Sequence, residues 1–222
     1  MAQITPMFAV PFVFAKHPAP EGLNAALKAL FLAREAEGTT HANPTPLVTR
    51  NEALFESRFN LFDWPDAPVQ ALRDWCWKNL YGAVGELNGY DTATLQRMDV
   101  ANECWFHITR RGGYFSMHNH AMASWSGVYC VDPGEDDGTV AGSGELTFQH
   151  PNAMATMFID RAISNLRPPY AYGPRPLRLE AGQLVLFPSW LLHEVKPFIG
   201  NGTRITVAFN CWFRMRDTHR SP

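Results

Sequence analysis

The sequence predicts a mainly β fold, a jelly roll of the double-stranded β-helix, cupin-like type preceded by two helices, and three observations predict it. From Thr94 onward the chain is made of short runs rich in aromatic and β-branched residues, separated by Gly, Pro and Asp clusters. Two longer stretches with apolar residues at helical spacing come before them. Histidines stand on two separated strand-like segments, His118 and His120 on one and His193 on the other.

The elements follow in chain order. The opening MAQITPMFAVPFVFAKHP is apolar, yet it has no basic leader and is cut by Pro6 and Pro11. It therefore reads as an edge strand and not as a signal peptide. Residues 20–37 place Leu23, Leu27, Leu30 and Phe31 at three- and four-residue spacing among good helix formers, the pattern of an amphipathic helix. After a polar, Pro-containing stretch, a second helix is expected over 64–87, through Val69, Leu72, Trp75, Leu80 and Val84, ended by the turn signal Asn88-Gly89. Strands are expected at 104–109, 124–131, 145–148, 183–187 and 204–213. The longest irregular pieces, 132–144 and 151–175, have the length of lids or binding loops. The chain reads as one domain over 1–222, with 1–92 as a supporting N-terminal strand and helices and 93–215 as the β core.

Composition narrows the function classes. The chain has 222 residues, of which 46% are hydrophobic, enough for a sizeable core. Its net charge of -2 is scattered, which gives no electrostatic footprint for nucleic acid or for an acidic membrane surface. No apolar stretch is long enough to span a membrane. A small-molecule or peptide-like partner is the expectation, and the apolar N-terminal strand and exposed helix faces offer surface for a homodimer. Cys76, Cys104, Cys130 and Cys211 lie far apart with no C-x-x-C pair, which points to reduced thiols and a cytoplasmic protein.

In GGYFSMHNHAMASWSGVYCV, His118 and His120 are one residue apart, so on an extended strand both point to one face. Such a pair is either a metal site or two hydrogen-bonded imidazoles. In AGQLVLFPSWLLHEVKPF, Gly182 and Pro188 bracket an apolar strand, and a turn then feeds His193 onto the next one. Three histidines from two strands form half of an octahedron, with open positions left for ligands, which suits a non-haem iron or another divalent metal. Eleven residues past His193, Arg204 and Thr206 share one strand face. Beside a metal, the planar fork of Arg204 matches a carboxylate and Thr206 adds a hydroxyl donor. The alternative is a surface arginine in a salt bridge.

With His118, His193, Arg204 and Thr206 in these places, the sequence resembles the iron(II)- and 2-oxoglutarate-dependent dioxygenase superfamily, whose pattern is H-x-D/E, a second His, and an Arg or Lys about ten residues on. More narrowly, HNHAMASWSGVY, GELTFQHP and FPSWLLH resemble a bacterial and phage branch of 2-oxoglutarate oxygenases that names no substrate. The resemblance runs from about Asn102 to Phe213. It implies Fe(II) at His118, His120 and His193, 2-oxoglutarate as co-substrate with its far carboxylate on Arg204, and molecular oxygen. The implied reaction hydroxylates an unknown substrate and decarboxylates 2-oxoglutarate to succinate. Tyr129 is either a hydroxyl donor to the co-substrate or a core tyrosine. Ser126, three residues from Tyr129, cannot share its face on a regular strand and is left out of the site.

One departure stands out: His120 occupies the place where most of the superfamily has a carboxylate. A dianionic co-substrate on Arg204 would compensate part of the extra positive charge. Asp132 and Glu194 are the other acidic candidates, but Glu194 adjoins His193 and would face away, and Asp132 sits beyond a strand end. His107 and His150 read as structural histidines, and Trp105, Trp125 and Trp190 as core. The run Glu135-Asp136-Asp137 reads as a solvated turn. Two rival functions remain: a three-His zinc hydrolase or hydratase, and a cupin-like metal-binding protein without 2-oxoglutarate.

Overall fold

The computed structural model describes residues 2–152 and 157–216. In chain order the elements are β1 (Val13–Lys16), α1 (Pro20–Ala36), β2 (Leu54–Glu56), α2 (Ala67–Asn88), α3 (Thr92–Gln96), β3 (Met98–Thr109), β4 (Phe115–His118), β5 (Trp125–Asp132), β6 (Glu135–Asp136), β7 (Leu146–Phe148), β8 (Arg175–Leu177), β9 (Gln183–Pro188), β10 (His193–Val195), β11 (Gly200–Asn201) and β12 (Arg204–Met215). Both long helices lie where the apolar spacing places them. Pro20 opens α1, where its missing N–H costs nothing, and Glu21 and Arg34 complement the helix dipole at its two ends. The second helix starts three residues later than expected and stops at Gly89, whose φ of 67° is a left-handed conformation that glycine adopts without strain.

Six antiparallel strands form the larger sheet, in the order β1-β9-β5-β12-β3-β2. A smaller sheet, β4-β10-β7-β8, faces it, and β6 pairs with β11 in a separate ribbon. This is the double-stranded β-helix that the sequence predicts, with β1 as the expected edge strand. The acidic run is more ordered than a solvated turn: Glu135 and Asp136 are strand residues, Asp136 pairs with Arg178, and Asp137 meets Arg111 at 2.6 Å. Of the 151–175 loop, residues 153–156 lie outside the described residues. No described helix is long and apolar enough to cross a membrane. All four cysteines are free and buried.

Period-two alternation gives the larger sheet two faces with different tasks. On one face, Phe106, Ile108, Tyr129, Leu184, Leu186, Val207 and Phe209 pack against Leu27 and Phe31 of α1 and Leu72, Cys76 and Leu80 of α2. Phe31 stacks on Phe106 with ring centroids 4.2 Å apart. Phe209 fills the space over Gly127 so closely that a Cβ there would lie 2.2 Å from its ring, so only glycine fits. On the other face, Cys130, Val185 and Phe187 meet Leu146, Phe148 and Leu191 between the two sheets.

This alternation corrects the place proposed for Tyr129. The side chain lies on the helix face, fully buried, with its ring 5.8 Å from that of Trp75. Its hydroxyl donates to Asn24 Oδ1 at 2.7 Å, and Asn24 Nδ2 donates in turn to the Val131 carbonyl at 2.8 Å. Tyr129 thus clamps α1 to the sheet and cannot reach a ligand on the opposite face. Tyr129→Phe leaves Asn24 Oδ1 buried without its donor and is expected to lower unfolding stability by about 1–3 kcal/mol in denaturant titrations. Metal and co-substrate affinity should stay unchanged, and a loss of either would return Tyr129 to the site.

Candidate metal centre

His118 is the last residue of β4 and His193 the first of β10, and the antiparallel pairing sets the two opposite each other. Their ring centroids are 4.3 Å apart. His120 lies just past the strand, in a turn held by its own N–H on the Ser189 carbonyl at 2.9 Å and by Ala123 N–H on the His120 carbonyl at 2.9 Å. The H-x-H pair therefore converges through a strand end and an anchored turn, not through strand alternation alone. One ligand nitrogen from each of the three rings lies within 4.8 Å of the others. Pro188 ends β9, Leu191 N–H closes a turn onto its carbonyl, and His193 follows, as the sequence suggests.

The outer nitrogens set the tautomers. His118 Nδ1 is 2.7 Å from the Ser116 carbonyl and His193 Nδ1 is 2.9 Å from the Leu191 carbonyl. A carbonyl only accepts, so each Nδ1 carries the proton and each Nε2 keeps its lone pair. Burial pushes the pKa of all three imidazoles down, to about 4 for His120 and about 3 for His193, with the neighbouring ring adding to the effect. Three neutral imidazoles aimed at one point fit a divalent ion of the iron, nickel or zinc kind. Among the described residues no carboxylate joins them: Asp132 pairs with Lys28 at 2.7 Å, and Glu194 alternates away from the pocket that His193 and Val195 line.

The histidines open onto a cavity of about 220 Å³ whose floor is the second face of the larger sheet. Strand register arranges this floor in rows spaced by about 7 Å. Arg204 occupies the first row, beside Thr109. Glu56, His107 and Thr206 form the second, Trp105, Ala208 and Val128 the third, and Glu103, Asn210 and Ser126 the fourth. The His120 ring stands 6.0 Å from that of Trp105 in the third row. Arg204 is 7% exposed and makes no ion pair or hydrogen bond among the described residues, so it is no surface salt bridge. Burial pulls its pKa below the ordinary arginine value. Thr206 is buried on the same wall.

Several site neighbours escape a sequence reading. Ser126 lines the cavity and Tyr129 does not, so the parity argument holds while the choice between them reverses. His107 also faces the cavity; its Nε2 lies 2.8 Å from the Trp105 indole nitrogen and 3.2 Å from Glu56 Oε2, accepting from the indole N–H when neutral there and donating to the carboxylate when protonated. Glu56 comes from the N-terminal half and is itself fixed by Arg50 at 2.6 Å and Asn43 at 2.7 Å. Its only sequence signal is an acidic residue in a short apolar run. Trp105 is buried as expected and also lines the cavity, Trp125 packs against the helix-side core as expected, and Trp190, half exposed, departs from that expectation. His150 is half-buried and lies outside the cavity lining.

Residues 103–210 match the model of the family described as "Putative 2OG-Fe(II) oxygenase", a span that contains all three histidines, Arg204 and Thr206. None of the curated proteins matches the chain. Among solved structures, a prolyl-4-hydroxylase from Pseudomonas putida is similar at 19% identity and a TM-score of 0.59, covering 93% of this chain and 94% of that one. HygX from Streptomyces hygroscopicus, solved with nickel, 2-oxoglutarate and hygromycin B, is similar at 11% identity and a TM-score of 0.57, covering 94% and 84%. A prolyl hydroxylase from Trichoplax adhaerens, bound to a hypoxia inducible factor peptide, is similar at 14% identity and a TM-score of 0.54, covering 90% and 83%. At these identities the likeness is one of fold.

The buried imidazoles make metal-free stability pH-dependent. In the unfolded chain they take up protons as pH falls through about 6.5, whereas the folded protein resists until about 4 at His120 and about 3 at His193. Between those values the unfolded state binds more protons, so stability rises with pH, by up to about 1.4 kcal/mol per pH unit for each group. The urea midpoint of the metal-free protein is expected to be lower at pH 5 than at pH 7, and the drop to be shallower in His193→Asn. An equal drop in both would show that His193 is not buried as a neutral ring.

Proposed function

We propose that this 2OG-Fe(II) oxygenase, an oxidoreductase by the family that its residues 103–210 match, is a hydroxylase that binds Fe(II) through His118, His120 and His193 and 2-oxoglutarate through Arg204 and Thr206. The observation that carries the reading is Arg204. A buried guanidinium without a protein counter-ion costs several kcal/mol, and an anion bound in the same cavity removes that cost. A zinc hydrolase or a cupin-like protein has no need of such a group beside its metal.

When bound, iron(II) and 2-oxoglutarate supply the oxidising chemistry, consuming molecular oxygen and releasing succinate and carbon dioxide as the substrate gains a hydroxyl. The chain's own residues do the positioning. The Ser116 and Leu191 carbonyls fix the proton on Nδ1 of His118 and His193 and so keep each Nε2 available. Arg204 offers a planar fork to the far carboxylate, and Thr206, next on the same face, offers a hydroxyl. Val128, Leu146, Phe187 and Val195 form apolar walls that exclude water and strengthen these charged contacts. The substrate would be a small molecule or a peptide-like chain. We read 1–222 as one domain, because α1 and α2 supply the core on which the floor of the site rests.

An anaerobic titration with iron(II) and then 2-oxoglutarate is expected to give a saturable visible metal-to-ligand absorption band. His193→Ala should lose stoichiometric metal while keeping its β-rich circular dichroism. Arg204→Ala should keep the metal and weaken 2-oxoglutarate binding by at least about tenfold, or about 1.4 kcal/mol. Bound iron without a band would turn the assignment to a cupin-type centre, and unchanged affinity in Arg204→Ala would remove Arg204 from the site.

A further inference from the structure

The cavity floor has a charge at each end, and only one end is used by the function proposed above. Arg204 and Asn210 stand six residues apart on β12, about 20 Å of strand. Beside Asn210, on the neighbouring strand, Glu103 lines the cavity mouth. It makes no ion pair or hydrogen bond among the described residues, and Arg204 lies too far along the sheet to serve it. The other acidic group of the cavity, Glu56, is committed to Arg50, Asn43 and His107.

The surroundings of Glu103 are built for a particular kind of group. Trp105, two residues along on the same face, contacts Phe59 with ring centroids 4.5 Å apart, and both rings line the cavity. Asn210 is 6% exposed, and one of its amide atoms is taken by the Ser126 hydroxyl at 2.7 Å, which also meets Ser189 at 2.8 Å. Its amide nitrogen, a donor, has no protein partner among the described residues. A carboxylate acceptor and an aromatic wall in one place complement a cation, through charge and through the electron-rich ring faces, while the free Asn210 N–H suits a neutral acceptor beside it. They disfavour a carboxylate or phosphate, which Glu103 would repel.

We infer that the end of the cavity opposite Arg204 is a recognition subsite for an organic cation, an alkylammonium or guanidinium group on an apolar stem, with Glu103 as its counter-ion and Trp105 and Phe59 as its aromatic wall. The inference rests on the reading of the site as a 2-oxoglutarate oxygenase and narrows its substrate class. The stem lies along Phe59 and Trp105, and the carbon that reacts is the part that comes to rest beneath His120.

The test is binding without turnover. Protein loaded with iron(II) and 2-oxoglutarate, kept free of oxygen at low ionic strength, is titrated with n-butylammonium, n-butylguanidinium, n-butanol and butyrate, with affinities read by ligand-observed NMR. Both cations are expected to bind at least about threefold more tightly than butanol, and butyrate more weakly than any. Glu103→Gln should remove the preference of the cations over butanol and leave the visible band of the loaded centre intact, which also shows that the variant folds. Equal binding of cations and butanol, or a preference that survives Glu103→Gln, overturns the subsite. If the band forms while no cation preference is seen, the subsite alone fails. If the preference depends on Glu103 but no band forms, the oxygenase reading fails and the cation subsite stands.

Discussion

Strand β12 is paired along most of its length on both sides, with β3 on one flank and β5 on the other, and the rest of the structure depends on that double register. Because side chains alternate on an extended strand, the register assigns every residue of three adjacent strands to the helix face or the cavity face at once. Phe209, Val207, Phe106 and Tyr129 seal against the helices, and Arg204, Thr206, Asn210, Trp105 and His107 are turned into the cavity. A slip of one residue would send Arg204 into an apolar core and expose Phe209. Packing of the helices therefore secures the site, although neither helix contributes a residue to it.

The three histidines stand on the facing sheet and are set by a second register. The pairing of β4 with β10 puts His118 opposite His193, and the turn that carries His120 is tied to the Ser189 carbonyl at the start of the β9–β10 connection. All three imidazoles are thus fixed by backbone that is itself paired, and two have their proton placed by a backbone carbonyl. Such a site is organised before any ion arrives. The ordering of flexible side chains then does not count against metal affinity.

Charge is distributed with the same economy. Burial keeps the three imidazoles neutral, Glu56 is neutralised by its partners, and buried Arg204 and exposed Glu103, neither paired among the described residues, stand at opposite ends of one floor. In the proposed site, three neutral ligands in place of two with a carboxylate would leave a divalent metal one charge more positive, and a dianion at Arg204 would offset it. The cavity floor thus carries a positive side chain at the Arg204 end of β12 and a negative one, Glu103, beside its Asn210 end.

The sequence by itself determined the fold class, both long helices, most strand positions, the grouping of His118, His120 and His193, and the shared face of Arg204 and Thr206. These are local in origin: apolar period, turn residues and a short H-x-H spacing act within a few residues. Only the tertiary structure decided which face of each strand meets the helices. Alternation states that Ser126 and Tyr129 differ in face but not which of them looks inward, and the helix-side contact of Tyr129 with Asn24, more than a hundred residues away, settles it. Glu56 and Glu103 enter the site for the same reason. Their positions depend on register with partners far along the chain, and no local pattern encodes long-range register.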